Sequence, residues 1–587
     1  MNEQKMQYFK DNYKIFGLGS IVYGIIYATL LYKNPESFTF PIVIAITLAI
    51  CVFVLKKFKL PIKKEGYFLM VVIQLLAIAV CLTENQKIIG YNKVAIFLLL
   101  FFLMMEQVYD TKGWQVGKNI GKLFMRMINI FAYYGKPWSH LGAFFMGKEE
   151  RENKNRKYIA IGLGISIPLV LMICGLLASA DKVFGSLFSW IFENLLSLDA
   201  ILIIFIAIIA YSLMYSFICS SVTTTENIAK EGAKLPPMVA LTFTTIIAVI
   251  YIGFCVLQIS YLFNGYSDGL TYSQFAREGF FELLFVSAIN LIMVVICIEI
   301  FERSKKLDII LIIISVCTYI LIGSSAYRML LYIEAYELTF LRIFVLWFLA
   351  VLVIWMTGAI IYIKKRNWNY FKFSVCVIAT MYLIFVYINP DRLIIKYNIE
   401  HTVELKQEDI DYFCMELEPK VVLAEIENMR AKFVPKEAEA IETILTEYQK
   451  GIVRNNENKT LRKTNFAKKN AYNKALATVG KEATGLAKYE ITHDEETYDG
   501  EVHYDGRTYY QFGYAQGDVK GIEIGYIDDQ NKIYSVKGRD PKEWVYSYEE
   551  WSMGSGGGWL YKVKGTDIPN ELNHYKSYEY EKNERAR

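Results

Sequence analysis

Glu278 and Glu282 stand four residues apart at the start of an apolar run, so both carboxylates project from one helical face, a turn apart. Arg277 precedes them, Arg328 closes one apolar run and Arg342 opens the next. A charge at membrane depth costs about 2.5 to 3.5 kcal/mol on insertion scales, so such groups pair or face water. Two readings follow. One is a substrate or proton site near the outer surface, with Arg277 or Arg328 neutralising Glu278 or Glu282. The other is an ion-pair clasp that fixes helix register, because interfacial charges can also reach the headgroups. Asn290 lies about two turns further in and roughly 80° around the helix from Glu282, which extends a polar track only loosely. His493 and His503 flank Asp499-Gly500 near Asp494, Glu495 and Glu496, and a hairpin setting His503 opposite Glu496 would make a surface metal site. Catalytic metal ligands are usually spaced more tightly, so solvated histidines and no metal are expected. The apolar runs hold no HExxH, GxSxG or dinucleotide fingerprint, so no catalytic residue and no cofactor is expected. The run Gly554, Ser555, Gly556, Gly557, Gly558 lacks the Lys and Ser/Thr of a phosphate loop and reads as a flexible loop.

The elements that must position these groups are apolar and long. Of 587 residues 54% are hydrophobic and 21% charged, with a formal charge of +4, which excludes disorder, collagen and a disulfide scaffold. The polar last 199 residues mask a front made of apolar runs, most of them long enough to cross ~30 Å of hydrocarbon. Eleven such runs occupy Ile15 to Tyr32, Phe38 to Leu55, Tyr67 to Thr83, Ile88 to Met105, Tyr158 to Ala178, Ala200 to Cys219, Met238 to Phe263, Gly279 to Phe301, Leu307 to Tyr327, Phe340 to Ile363 and Phe371 to Ile388. The fold class is thus an α-helical polytopic membrane bundle of about eleven transmembrane helices followed by a soluble α+β tail. Lys56, Lys57, Lys59, Lys63 and Lys64 mark their loop as cytoplasmic, as do ten basic residues between Lys112 and Lys157. Within that stretch Ile120, Leu123, Phe124, Met127, Ile128, Ile130 and Phe131 alternate with Lys118, Lys122 and Arg126, the pattern of a helix lying on anionic lipid or, alternatively, of one packed beneath the bundle with its basic residues solvated. An odd number of spans from a cytoplasmic amino terminus places the tail outside. The segment Val183 to Leu196 is short for a span and reads as re-entrant or interfacial, and a true crossing there would move the tail inside.

The tail divides into a helical juxtamembrane region, 389–485, and an aromatic-rich β meander, 486–587, after the transmembrane region 1–388. Helices are expected at Glu418 to Phe433 and Lys436 to Val453, with Pro419 and Pro435 at their starts and a basic connection, Lys459 to Lys469, beyond them. The clearest hairpin is Ile522 to Ile527, the turn Asp528 to Asn531, and Lys532 to Val536. Fourteen tyrosines with Trp544, Trp551 and Trp559 suit the core of a thin sheet, although ring faces can also bind glycans or peptides.

Three stretches, Tyr272 to Leu284 (YSQFAREGFFELL), Ala326 to Arg342 (AYRMLLYIEAYELTFLR) and Asn389 to His401 (NPDRLIIKYNIEH), with an echo at Ile410 to Pro419, resemble a bacterial family of multipass membrane proteins. That family is domain of unknown function 4173, similar to number 4153. The resemblance covers roughly residues 70 to 430 and leaves the β-rich tail outside. It implies that Arg277, Glu278, Arg328, Tyr332, Arg342, Asp391, Arg392 and Asn398 are motif positions, and it implies no reaction. The expectation is a non-enzymatic cell-membrane protein whose extracytoplasmic carboxyl-terminal domain binds an envelope component or a membrane protein partner, with the lipid bilayer and no nucleic acid as its other contact. The alternative is a secondary transporter with a polar site near Glu278, Glu282 and Arg328.

Overall fold

The computed structural model describes residues 2–111, 113–146, 173, 177, 181, 198–223, 234–264, 280–456, 461–480, 487–493, 500–528, 531–550 and 556–577. Among them ten helices are long and apolar enough to cross a membrane. These are α2 (Tyr13–Leu31), α3 (Thr39–Lys57), α4 (Lys64–Leu82), α5 (Gln86–Val108), α8 (Leu198–Thr223), α9 (Pro237–Asn264), α10 (Phe280–Ile300), α11 (Lys305–Tyr336), α12 (Phe340–Lys364) and α13 (Tyr370–Ile388). The expected span Tyr158 to Ala178 and the short segment Val183 to Leu196 lie outside the described residues. Helix α11 corrects one boundary. Its 32 residues make about 48 Å at 1.5 Å each, well beyond the bilayer core, so Arg328 to Tyr336 is helix and only 337–339 connect it to α12.

Contacts sort the connections to two ends. At one end Lys63 Nζ donates to the carbonyl of Tyr109 at 2.7 Å, Asn369 Nδ2 to that of Thr111 at 3.0 Å, and Arg366 pairs with Asp308 at 3.0 Å. Lys5, on α1 (Asn2–Asp11), reaches the carbonyl of Val222 there, and the backbones of Leu235 and Ile300 pair. Helix α6 (Val116–Ala132) lies at this end, its first N–H groups received by the Glu299 carboxylate. Of the apolar residues expected to meet lipid, Phe124, Ile128 and Phe131 are exposed along it, whereas Ile130 is buried and Leu123 and Met127 pack against the bundle. Arg126 departs from that expectation. Seven residues from Asn119 and four from Ile130, it falls on the packed face, 1% exposed with its guanidinium 4.7 Å from the Tyr109 ring centre. Helix α7 (Lys136–Met146) follows, pinned by a 2.8 Å bond between His140 Nδ1 and the Tyr215 hydroxyl.

The opposite end carries the tail. Asn389, at φ 60°, ends α13 and caps α14 (Pro390–His401), which is followed by α15 (Gln407–Glu416), α16 (Pro419–Arg430), α17 (Ala438–Asn456) and α18 (Phe466–Val479). Helix α18 starts inside the stretch read as a basic connection, a correction with a clear local cause: Asn465 accepts from the N–H groups of Ala467 and Lys468 and so begins a helix despite the lysines. The same side chain donates to the carbonyls of Glu36 and Thr83, bolting the tail to two inter-span loops. One buried apolar cluster runs from Val294 and Leu311 through Leu338, Ile394 and Ile399 to Phe413, Val422, Ile444 and Ala471, so bundle and helical tail share a core.

The β domain is an eight-stranded sheet in the order β1-β5-β6-β7-β8-β4-β3-β2, not the expected meander. Strands β5 (Lys520–Tyr526) and β6 (Lys532–Val536) form the foreseen hairpin, and Asp505 and Gly506, both at positive φ, turn β3 (Gly500–Tyr504) into β4 (Arg507–Gln516). Strand β4 then pairs with β8 (Gly556–Val563), which also pairs with β7 (Trp544–Glu550). Strands β1 (Ala487–Lys488) and β2 (Glu490–His493) occupy opposite edges although only Tyr489 separates them, so the sheet curls almost into a barrel. Gly556 to Gly558 belong to β8 and not to a loop. A Cβ at Gly558 would lie 1.7 Å from the Ser547 carbonyl oxygen, and one at Gly557 would meet the Tyr514 ring, so glycine here permits close strand contact. Trp544, Tyr546, Tyr509 and Phe512 are buried, as the core reading of the aromatics required.

Candidate functional site

The motif residues divide into structural fastenings and one polar junction at the tail end. Arg277 and Glu278 lie outside the described residues. Glu282 sits in the first turn of α10, exposed and without an ion pair among the described residues, whereas Arg328 is buried on α11. A clasp between Glu282 and Arg328 is therefore not formed. Asn290 is buried and does extend a polar track, but sideways: it accepts from the Tyr251 hydroxyl at 2.7 Å and donates to Thr318 Oγ1 at 3.0 Å, tying α9, α10 and α11 together. Ser324 donates to Gln258 at 2.7 Å further along the same seam.

The 337–339 turn is held from three sides. Arg342 donates to the carbonyls of Tyr336 and Glu337 and lies 4.4 Å above the Tyr332 ring, closing the carboxyl end of α11. Asn398 receives the Leu338 N–H at 2.8 Å and donates to the Leu338 carbonyl at 3.1 Å. Glu337, at φ 67°, takes the left-handed conformation that this network holds, and burial raises its carboxyl above the usual range.

Asp391 belongs to the polar junction. Its carboxylate accepts from Asn85 Nδ2 at 2.9 Å and from the Glu418 N–H at 3.1 Å, and burial, followed by the nearby Glu418 charge, pushes it up to about 6. Glu418 in turn accepts from the Glu84 and Asn85 N–H groups and pairs with Lys420 at 2.9 Å. Two carboxylates thus stitch the α4–α5 loop to the starts of α14 and α16. Arg392 is exposed beside them, on the wall of a cleft of about 520 Å³. The residue types that mark Glu418 and Asn85 are ordinary loop and cap residues, and only Pro419 hinted that a helix start would bring Glu418 here.

His503 pairs in register with Glu490 and Thr508, not with Glu496, which lies outside the described residues. Its ring nitrogens meet Thr492 Oγ1 at 2.8 Å and Thr508 Oγ1 at 3.0 Å, so the proposed ligand geometry is replaced by a cross-strand threonine sandwich. Among the described residues no group of three His, Cys, Asp or Glu is placed to hold a metal.

Ten apolar helices with a helical tail and a curled β-sheet define a multi-pass membrane protein carrying a β-rich domain. The model of the family described as Domain of unknown function (DUF4153) matches residues 70–427, about three fifths of the chain, and the protein belongs to that family. The match includes Asn85, Asp391, Arg392, Asn398 and Glu418 and stops before α17 and the β domain. No curated protein and no solved structure matches the chain.

Proposed function

We propose that the protein catalyses no reaction and serves in the cell membrane as an anchor that presents the β domain on the extracytoplasmic side to an envelope component or a partner protein. The observation that carries this reading is the clustering of basic residues in the inter-span connections at one end. Lys56, Lys57, Lys59, Lys63, Lys64, Arg303, Lys305 and Lys306 gather at the end away from the tail, where the positive-inside rule puts the cytoplasm. The three sequence motifs further support kinship with domain of unknown function 4173 beside 4153. A reporter fused after Arg587, active only outside the cytoplasm, should be active. Deleting Lys488 to Arg587 should abolish function while leaving the bundle in the membrane. A cytoplasmic reporter signal, or full function without the β domain, would overturn the proposal.

A second reading, secondary transport, draws on the buried seam of Tyr251, Asn290, Thr318, Gln258 and Ser324 between spans, with Arg328 on the same helix α11. Such seams also serve as glue between helices. Uptake that survives Asn290→Leu would remove transport along it. Glu282→Ala should leave abundance unchanged, because the carboxylate is exposed and unpaired among the described residues.

A further inference from the structure

The cleft of about 520 Å³ beside Arg392 has two kinds of wall. Leu82 ends span α4 and Tyr387 and Ile388 end span α13, and all three are exposed, so one wall is apolar and stands where the hydrocarbon gives way to headgroups. The other wall carries Arg392, Lys420 and Lys474 against a single carboxylate, Glu425. Lys420 is engaged by Glu418 and by the Leu82 carbonyl. The side chains of Arg392 and Lys474 make no hydrogen bond or ion pair among the described residues, so two cations remain available. Helices α14, α16 and α18 also begin at this wall, through Arg392, Lys420 and Ala467, but Asp391 and Glu418 already face the starts of α14 and α16, so the positive character of the wall rests on the side-chain cations. The volume falls within the ~300 to 1,000 Å³ of ligand sites.

We infer that this cleft holds the phosphate of an anionic phospholipid, with Arg392 and Lys474 on the phosphate and the acyl chains descending along Leu82, Tyr387 and Ile388. The bilayer is the source, because an apolar wall continuous with two spans favours an amphiphile over a soluble phosphate, which needs only the cations. A lipid seated here would rest against both the span ends and three tail helices. Its binding would therefore brace the tail against the membrane whichever compartment the tail faces.

The full chain, purified in detergent and taken through delipidation, tests this by native mass spectrometry and by the shift in melting temperature on adding lipid. Phosphatidylglycerol should remain bound at one copy and stabilise the protein, and phosphatidylcholine should do neither. Each cation near an anionic headgroup is worth about fivefold, so Arg392→Gln with Lys474→Gln should weaken phosphatidylglycerol binding roughly 30-fold, while Arg392→Lys with Lys474→Arg retains it. Lys118→Gln with Lys122→Gln, at the other end of the molecule, should leave the tight copy in place. Equal retention of the two lipids, or an unchanged double glutamine variant with a wild-type melting temperature, would overturn the site. Displacement of the lipid by millimolar glycerol phosphate would overturn the bilayer as its source.

Discussion

At the scale of single residues, the tail end of the molecule is governed by polar groups taken out of water and matched to different degrees. Asp391 shows the cost of a partial match. Its carboxyl is buried, accepts from Asn85 and the Glu418 N–H, and stands near a second acid, which raises it from its ordinary value to about 6. The native state thus holds the proton more tightly than the unfolded chain. The contribution of this group is full below about pH 4, is lost as pH rises to about 6, and is constant above. The whole effect is on the order of 2 to 3 kcal/mol. Asp411, also buried and raised to about 6, follows the same course, so the informative quantity is a difference. Subtracting the thermal midpoint of Asp391→Asn from that of wild type should give a value that falls between pH 4 and 6. A flat difference would mean that Asp391 is not titrating in that window. Asn398 is the opposite case, fully matched to both backbone groups of Leu338. Asn398→Ala leaves a buried N–H and C=O without partners, so a loss of about 2 to 4 kcal/mol is expected, with Asn398→Asp between the two. Detergent melting curves of the three proteins rank these costs directly.

At the scale of elements, periodicity made most of the molecule legible and failed where a neighbour decides the outcome. Nine of the ten described spans start and end within a few residues of their apolar runs, because hydrocarbon selects length and hydropathy alone. Helix α11 escaped, since Arg328 reads as a boundary charge until packing buries it eight residues before the helix ends. Helix α18 escaped for a related reason: its lysine-rich start hides a cap, Asn465, whose worth depends on loops several hundred residues away. Strand order was beyond reach, because alternation identifies strands and turns but not which edge a returning strand joins. Of the candidate site residues, Arg342, Tyr332 and Asn398 were legible as motif positions, yet their task, closing one three-residue turn, appears only once the turn is built. The glycines of β8 show the same limit. Gly558 is crowded by the Ser547 carbonyl, so Gly558→Ala should separate β7 from β8 and destabilise the β domain by about 3 kcal/mol. Limited proteolysis checks this: the β domain should be cut while 280–456 resists, and a wild-type digestion pattern would contradict the strand pairing.

At the scale of the whole molecule, the decisive feature is where one hydrophobic core stops and the next begins. The helical tail is no separate domain, since Ile394, Ile399 and Val422 sit in the same buried cluster as Leu311 and Val294 of the spans. The β domain has its own interior on both faces of its sheet, with Phe512, Trp544 and Tyr546 on one side and Tyr509, Val545 and Tyr561 on the other. Its attachment to the tail combines the packing of Ile522 on β5 against the tail's apolar cluster with polar contacts: the Gly538 N–H to Asp411 at 2.8 Å, Gln407 to the Arg539 carbonyl, and Lys542 with Glu439. The polar contacts are individually weak, and Ile522 is the one β-domain side chain among the described residues that packs on the tail's apolar cluster, so the interior of the β domain does not depend on the tail. A fragment of residues 487–577 should therefore be soluble and fold on its own. A fragment of residues 389–577 should aggregate, because cutting at the membrane strips the spans from Ile394 and Ile399. Near-ultraviolet circular dichroism and size-exclusion chromatography of the two fragments read both outcomes. If the longer fragment ran as a monomer with a cooperative melt, the helical tail would be an independent unit, and movements of the β domain would not be coupled through it to the membrane bundle.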